Sequence, residues 1–385
     1  MFGQGAGSMI AMQLGKQDGD SAGAAASTGF FVALLTGILI SVLGFLFLDP
    51  LVFFLGSTET IAPYAKTYMI FILLSAPFMV VCFVMNNILR YEGKAALGMI
   101  GLMTGGILNI ICDPIFMFGF RLGIAGAGLS TALSQCVSFC ILLSMFLRGK
   151  TVTKLSVKRI MWNPLRILNL MATGLPSFLR QGLNSIATVL LNTQAALYGD
   201  AAVAAMSIVS RIAMFVLSIA IGVGQGFQPV SGFNYGAGKY RRVRRAYWFT
   251  FLLSEILIAV IAAGVMIFSG SMIQLFRDDA EVITIGIRAL RLQCVSLLFV
   301  PFSMVTEMQL QSTGKKLGAS TLSALRSGVF FIPALVIMAR FRGLAGIQEA
   351  QPLAAVLSFL PAIFFAAWFF SHLPKEEDTN EDVQL

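Results

Sequence analysis

The sequence predicts an all-α polytopic membrane protein built from two parallel pseudo-symmetric six-helix bundles. Three observations predict this fold class: a low content of charged residues, long apolar runs and an internal repeat. Of the 385 residues, 57% are hydrophobic and only 12% are charged. Soluble domains carry roughly 25% charged residues. The chain therefore has too few charges to cover a water-facing surface.

Apolar runs of membrane-spanning length divide the chain. A helix needs about 20 apolar residues to cross the hydrocarbon core of a bilayer, and residues 30–48 contain no charge. Breaks between runs carry glycine, proline or charged residues. We predict the end of a helix at residues 1–14 and ten full spans near 24–49, 62–89, 95–119, 124–147, 167–197, 202–228, 243–269, 284–311, 317–340 and 345–371.

The net charge of +9 is explained by membrane topology, and we expect no nucleic-acid partner. Basic residues concentrate in alternate short loops, above all at 148–159 and 239–245. The positive-inside rule places these loops in the cytoplasm. We therefore expect a multi-pass protein of the cell inner (plasma) membrane with a cytoplasmic C-terminus.

An internal repeat indicates a duplication. The pair Gly93-Lys94 recurs as Gly314-Lys315, and 314 minus 93 is 221. Matches at the same spacing join Gly5 to Gly226, Gly15 to Gly236 and Phe120-Arg121 to Phe341-Arg342. Ordered matches at one spacing are typical of tandem copies. Because matching loops fall on the same predicted side of the membrane, the two copies are parallel.

The repeat predicts the domain organisation. We expect an N-terminal lobe at 1–147, a cytoplasmic linker at 148–166, a C-terminal lobe at 167–372 and a disordered cytoplasmic tail at 373–385. The second copy holds six predicted helices and begins near Gly174. Since 174 minus 221 is −47, we expect the first copy to lack its first helix and most of its second.

Several motifs resemble the MATE (multidrug and toxic compound extrusion) family. They are GQGFQPVSGFNYGAG at 224–238, LRYEGK at 89–94, GIAGAG at 123–128 and Asn109 followed by Asp113-Pro114. The likeness covers nearly the whole chain and is strongest to the bacterial multidrug-efflux branch. It implies a transporter that exports lipophilic organic cations and is driven by a proton or sodium gradient.

Asp113 is the leading candidate for the coupling-ion site. Ionisable groups inside a membrane are costly and usually face a cavity or a partner. Asp113 precedes Pro114, which loosens the local backbone, and Asn109 lies one turn earlier on the same helix face. The alternative is that Asp113 caps a helix end. The family resemblance adds Tyr68 and Thr131 and implies a first-lobe proton or cation site.

The second lobe supplies candidates for a substrate cavity. Gln181 and Asn184 belong to a polar stripe on its first helix, for which interhelical hydrogen bonding is the alternative. Glu255 and Glu307 are intramembrane acids, and Gln228 lies in the glycine-rich motif. Arginines at 180, 211, 291 and 326 could pair with these acids. Structural ion pairs and substrate contacts remain alternatives.

The sequence contains no P-loop, catalytic triad or metal-ligand cluster. We therefore expect a non-enzymatic secondary antiporter that works by alternating access. It would need no cofactor beyond the coupling ion. We expect a monomer that is embedded in the lipid bilayer and binds small cationic drugs. Two alternatives remain: a lipid-linked oligosaccharide flippase of the same superfamily, or an inactive truncated product.

Overall fold

A computed structural model describes residues 1–55 and 57–374. Within these residues every regular element is a helix. The chain divides into two compact units, Met1–Gly174 and Leu175–Leu385. The predicted disordered tail lies almost entirely outside the described residues.

The first unit contains six helices and the start of a seventh. The helices are α1 (Phe2–Gly15), α2 (Gly19–Leu46), α3 (Leu48–Phe54), α4 (Ala62–Tyr91), α5 (Ala95–Pro114), α6 (Ile124–Leu147) and α7 (Pro164–Ala196), which continues into the second unit. After Pro114, α5 widens into a π-helical turn at Ile115–Gly119. Asp18 caps α2, and hydrogen bonds from Ser21 lower the pKa of its carboxyl group.

The second unit contains the rest of α7 and seven further helices. These are α8 (Asp200–Gly236), α9 (Tyr240–Ile267), α10 (Ser269–Phe276), α11 (Ala280–Leu297), α12 (Val300–Ser312), α13 (Lys316–Ala324) and α14 (Phe331–Ser371). A π-helical turn at Leu325–Val329 joins α13 to α14. The core of this unit packs apolar side chains such as Leu191, Ile212, Leu290 and Leu335.

The apolar helices agree with a multi-pass membrane protein. In the described part of the chain, seven helical segments are long and apolar enough to cross a membrane, and the bent pair α11 and α12 makes an eighth. The predicted span 284–311 is broken between these two helices, with a bend of 47°. The predicted spans 317–340 and 345–371 form one segment that is interrupted at Gly343, whose φ is 59°. Helix α7, which covers the predicted span 167–197, has 33 residues but is not among these apolar segments.

The backbone carries the same repeat as the sequence. Gln17 and Gly238 both have positive φ (61° and 74°), and 238 minus 17 is 221. Gly93 and Gly314 (79° and 75°) share this spacing. At both pairs the chain leaves one helix in the left-handed region and starts the next, a conformation that glycine adopts without strain. The two copies therefore share helix ends as well as sequence motifs.

Candidate functional site

A stripe of glycines brings α5 against α6. Gly101 and Gly105 are four residues apart and lie on the same helix face as Asn109 and Asp113. A Cβ at Gly105 would clash with Ser138 Oγ and would lie 3.1 Å from the main-chain oxygen of Ser134, so a larger residue would require α6 to shift. Small residues allow close packing of membrane helices. The stripe therefore sets the distance at which the polar residues one and two turns later meet α6.

Asn109 is the centre of a hydrogen-bonded cluster. Its Nδ2 lies 3.1 Å from Asp113 Oδ1, 3.2 Å from Ser130 Oγ and 3.4 Å from Thr131 Oγ1. The Ser130 hydroxyl donates to the main-chain oxygen of Asn109, and the Thr131 hydroxyl donates to that of Ala127. Because the hydroxyl protons of Ser130 and Thr131 point to main-chain oxygens, the lone pairs of both hydroxyl oxygens can accept a hydrogen bond from the Asn109 amide.

The Asp113 carboxylate has spare capacity to bind an ion. Asp113 and Asn109 are half-buried, and Ser130 is buried. Among the described residues, no arginine or lysine forms an ion pair with Asp113. A carboxylate offers about four lone-pair sites, and Asn109 takes one. The cluster can therefore hold a proton or a monovalent cation. No group of three or more His, Cys, Asp or Glu residues suited to a metal occurs among the described residues.

Hydrogen bonds join three of the four predicted coupling-site residues, Asn109, Asp113 and Thr131, but not Tyr68 among the described residues. Tyr68 lies on α4, its side chain is 38% exposed, and no hydrogen bond joins it to Asn109 or Asp113 in the described chain. Ser130 was missed. It belongs to a series with Ser134 and Ser138 at four-residue spacing on α6, and this series faces the glycine stripe. The four-residue spacing of these serines is the sequence signal that could have identified Ser130.

The second unit encloses a cavity of about 480 Å³. Gln181 and Asn184 lie in its wall, together with Asn192 of the same helix. The wall also contains Arg180, Arg211 and Arg326, and apolar side chains including Leu191, Leu217, Met304 and Phe331. No aspartate or glutamate is among the lining residues.

Glu307 lies behind this wall in an ion-pair triad. Its side chain is only 1% exposed, and its Oε1 and Oε2 lie 2.8 Å from Arg180 Nη1 and 3.5 Å from Arg326 Nη2. The sequence left two interpretations of Glu307 open, a structural ion pair and a substrate contact. The structure shows the ion pair. Because two cations and one anion meet, the triad carries a net positive charge, and both arginines reach the cavity.

Gln228 and Glu255 lie away from the cavity wall. Gln228 is buried, and its Nε2 donates to Gln311 Oε1 over 3.1 Å, which joins α8 to α12. Glu255 is half-buried on α9, and its Oε2 is buried without a hydrogen-bond partner in the described chain. Of the five residues predicted for a substrate cavity, Gln181 and Asn184 line this cavity, and Gln228, Glu255 and Glu307 do not. Glu307 influences the cavity through Arg180 and Arg326, the two lining arginines with which it forms ion pairs.

Comparison with known proteins agrees with this architecture. The MatE family model matches residues 1–115 and 176–337. The multidrug export protein MepA of Staphylococcus aureus is 28% identical over 384 residues, which are 100% of this chain and 84% of the relative. MepA of Staphylococcus haemolyticus is 28% identical over 94% of this chain and 80% of the relative.

Solved structures show the same fold. An outward-facing multidrug resistance MATE family transporter of the MOP superfamily superimposes with a TM-score of 0.91 and 26% identity. The match covers 97% of this chain and 84% of that one. A MOP superfamily transporter from Pyrococcus furiosus, whose binding pocket is described as having reverse polarity, gives the same score and coverage. Fold and relatives together define a helical membrane transporter. The chain belongs to the MatE family.

Proposed function

We propose that the chain is a secondary multidrug efflux transporter that couples export to proton or sodium entry at Asp113. The observation that carries the proposal is the half-buried Asp113 carboxylate, which is hydrogen-bonded to Asn109 and has no cationic partner among the described residues. An intramembrane acid of this kind is typical of an ion pathway. The MepA relatives are named as multidrug export proteins, which supports the same function.

Coupling requires that the ion and the drug favour different conformations. A ligand can shift a conformational equilibrium only by its difference in affinity between the states. In the proposed cycle, a proton or cation on Asp113 favours one access state and drug binding favours the other. Asn109, which Ser130 and Thr131 hold in place, positions the carboxylate, and its hydrogen bond to Asp113 changes between the states. Alternating access follows from this reciprocal linkage.

Lipophilic organic cations are the proposed substrates. A carboxylate in a membrane interior attracts a cation, and an apolar surrounding suits a lipophilic one. The proposed location is the plasma membrane, with the basic loops and the C-terminus in the cytoplasm. The transporter would act as a monomer, without a cofactor beyond the coupling ion and without nucleic acid.

The test is ethidium efflux from cells that express the chain. Asp113→Asn keeps the shape and the hydrogen bond to Asn109 but removes the charge, and we expect efflux to fall to the level of cells without the protein. Asp278→Asn is the matched control because Asp278 is exposed and, among the described residues, bonds Gln274 alone. Membrane abundance is measured for both. Full efflux by Asp113→Asn at equal abundance would refute the assignment.

A lipid-linked oligosaccharide flippase is the second candidate function. The observation in its favour is the arginine-lined cavity of the second unit, since a pyrophosphate headgroup needs positive charge. Liposomes that contain the protein and a fluorescent lipid pyrophosphate test this candidate. Protein-dependent exposure of the lipid to an external quencher would support it, and no acceleration over empty liposomes would exclude it.

A further inference from the structure

The walls of the second-unit cavity carry positive charge that the protein neutralises only in part. Arg180, Arg211 and Arg326 line it, and Glu307 pairs with the first and third. Three guanidinium groups against one carboxylate leave an excess of two positive charges. Arginine remains charged at all accessible pH values. Uncompensated charge in a membrane protein is costly and usually marks a ligand or ion pathway.

Arg326 retains an unused hydrogen-bond donor. Its Nη2 faces Glu307, but its Nη1 is buried and has no hydrogen-bond partner in the described chain. A guanidinium carries five N–H donors in a planar fork that matches an oxyanion. A buried donor without an acceptor costs free energy. The arrangement is therefore suited to an acceptor that arrives with a ligand.

Arg211 is the arginine that is free to engage such a ligand. Its side chain is exposed and lines the cavity, and no ion pair holds it among the described residues. Gln181 and Asn184 add amide donors to the same wall. The apolar side chains of Met304 and Phe331 also line the cavity. Charge, donors and apolar surface together define a site for an amphiphilic anion.

We propose that this cavity binds an oxyanion, a carboxylate or a phosphate, carried on an apolar group. The cavity volume of about 480 Å³ accommodates a fused aromatic ring with a charged substituent. A cationic ligand would face an excess of like charge there, and like charges repel strongly in a low-dielectric interior. The proposal goes beyond the export of cations at Asp113, because it concerns a separate set of residues within the second unit.

Three naphthalene compounds of similar size and opposite charge test the proposal. The purified full chain in neutral detergent is titrated into 2-naphthoate, 2-naphthyl phosphate and 2-naphthylmethylammonium, and fluorescence anisotropy reports binding. We expect the two anions to bind at least about tenfold more tightly than the cation, as charge-assisted hydrogen bonds predict. The two anionic arms distinguish a preference for carboxylate from one for phosphate. Equal or tighter binding of the cation would overturn the proposal.

Variants of Arg211 locate the site. Arg211→Gln should weaken anion binding by about tenfold or more, the loss of one hydrogen bond to a charged group. Arg211→Glu should abolish anion binding and increase binding of 2-naphthylmethylammonium, a reversal that unfolding cannot produce. Arg340→Gln is the matched control because Arg340 is an exposed arginine outside the cavity wall. Unchanged anion binding by both Arg211 variants would refute the site, whatever the result of the efflux test at Asp113.

Discussion

The glycine stripe of α5 provides a sharp test of how the Asp113 cluster is assembled. Gly105→Ala adds a Cβ that would lie 1.9 Å from Ser138 Oγ and 3.1 Å from the main-chain oxygen of Ser134. The Ser138 hydroxyl can rotate away. The main-chain oxygen can move only if α6 moves, so the substitution requires α6 to shift by a few tenths of an ångström.

The expected consequence follows from the hydrogen-bond distances. Asn109 Nδ2 reaches Ser130 and Thr131 over 3.2 and 3.4 Å, which is already near the limit for a hydrogen bond. Even a shift of a few tenths of an ångström would break the contact with Thr131 and weaken the contact with Ser130. Overpacking of this kind costs about 1–3 kcal/mol. The bond from Asn109 to Asp113 lies within α5 and would survive, so the variant isolates the contact with α6.

Gly106→Ala is the matched control for this experiment. It makes the same chemical change one residue later, where a Cβ would have no neighbour within 4 Å. Both variants gain the same helix propensity. Ethidium efflux at equal membrane abundance should be lost or strongly reduced in Gly105→Ala and retained in Gly106→Ala. Equal efflux by the two variants would refute the role of the close approach.

Two further predictions concern individual polar residues. Glu307→Ala leaves the partly buried Arg180 and Arg326 without their counterion and should destabilise the protein by up to about 3–5 kcal/mol. Asp49→Ala, which removes an exposed partner of Lys66, should cost about 0–1 kcal/mol. Melting temperatures of the purified proteins compare the two, and equal values would contradict the triad. Ser130→Ala removes one acceptor of Asn109 and should lower efflux without changing the melting temperature by more than an ordinary surface substitution.

The sequence was informative wherever a local rule decides the geometry. The spacing of 221 residues anticipated paired helix ends such as Gly93 and Gly314, since a left-handed residue is a local requirement. The four-residue spacing of Asn109 and Asp113 anticipated their hydrogen bond, because those positions lie on one helix face. The coarse order of spans was equally readable, because each depends on a run of apolar residues.

Contacts between helices were less accessible from the sequence. A membrane helix is apolar on most sides, so the pattern of hydrophobic residues does not indicate which face packs inward. For this reason Glu255 and Glu307 looked alike in sequence, although only Glu307 meets arginines. The run 284–311 is predicted as one span because apolar residues continue through it, and Pro301 in the first turn of α12 is the local signal of the bend. The orientation of Tyr68 likewise depends on packing that the sequence does not specify.

The most direct test of the central claim is ion-driven transport in proteoliposomes. The purified chain is reconstituted, and uptake of tetraphenylphosphonium is followed under an imposed proton gradient, an imposed sodium gradient or neither. We predict that one gradient accelerates transport and that Asp113→Asn abolishes this acceleration while Asp278→Asn preserves it. Acceleration of equal size in the Asp113→Asn protein would contradict the assignment of Asp113 as the coupling site.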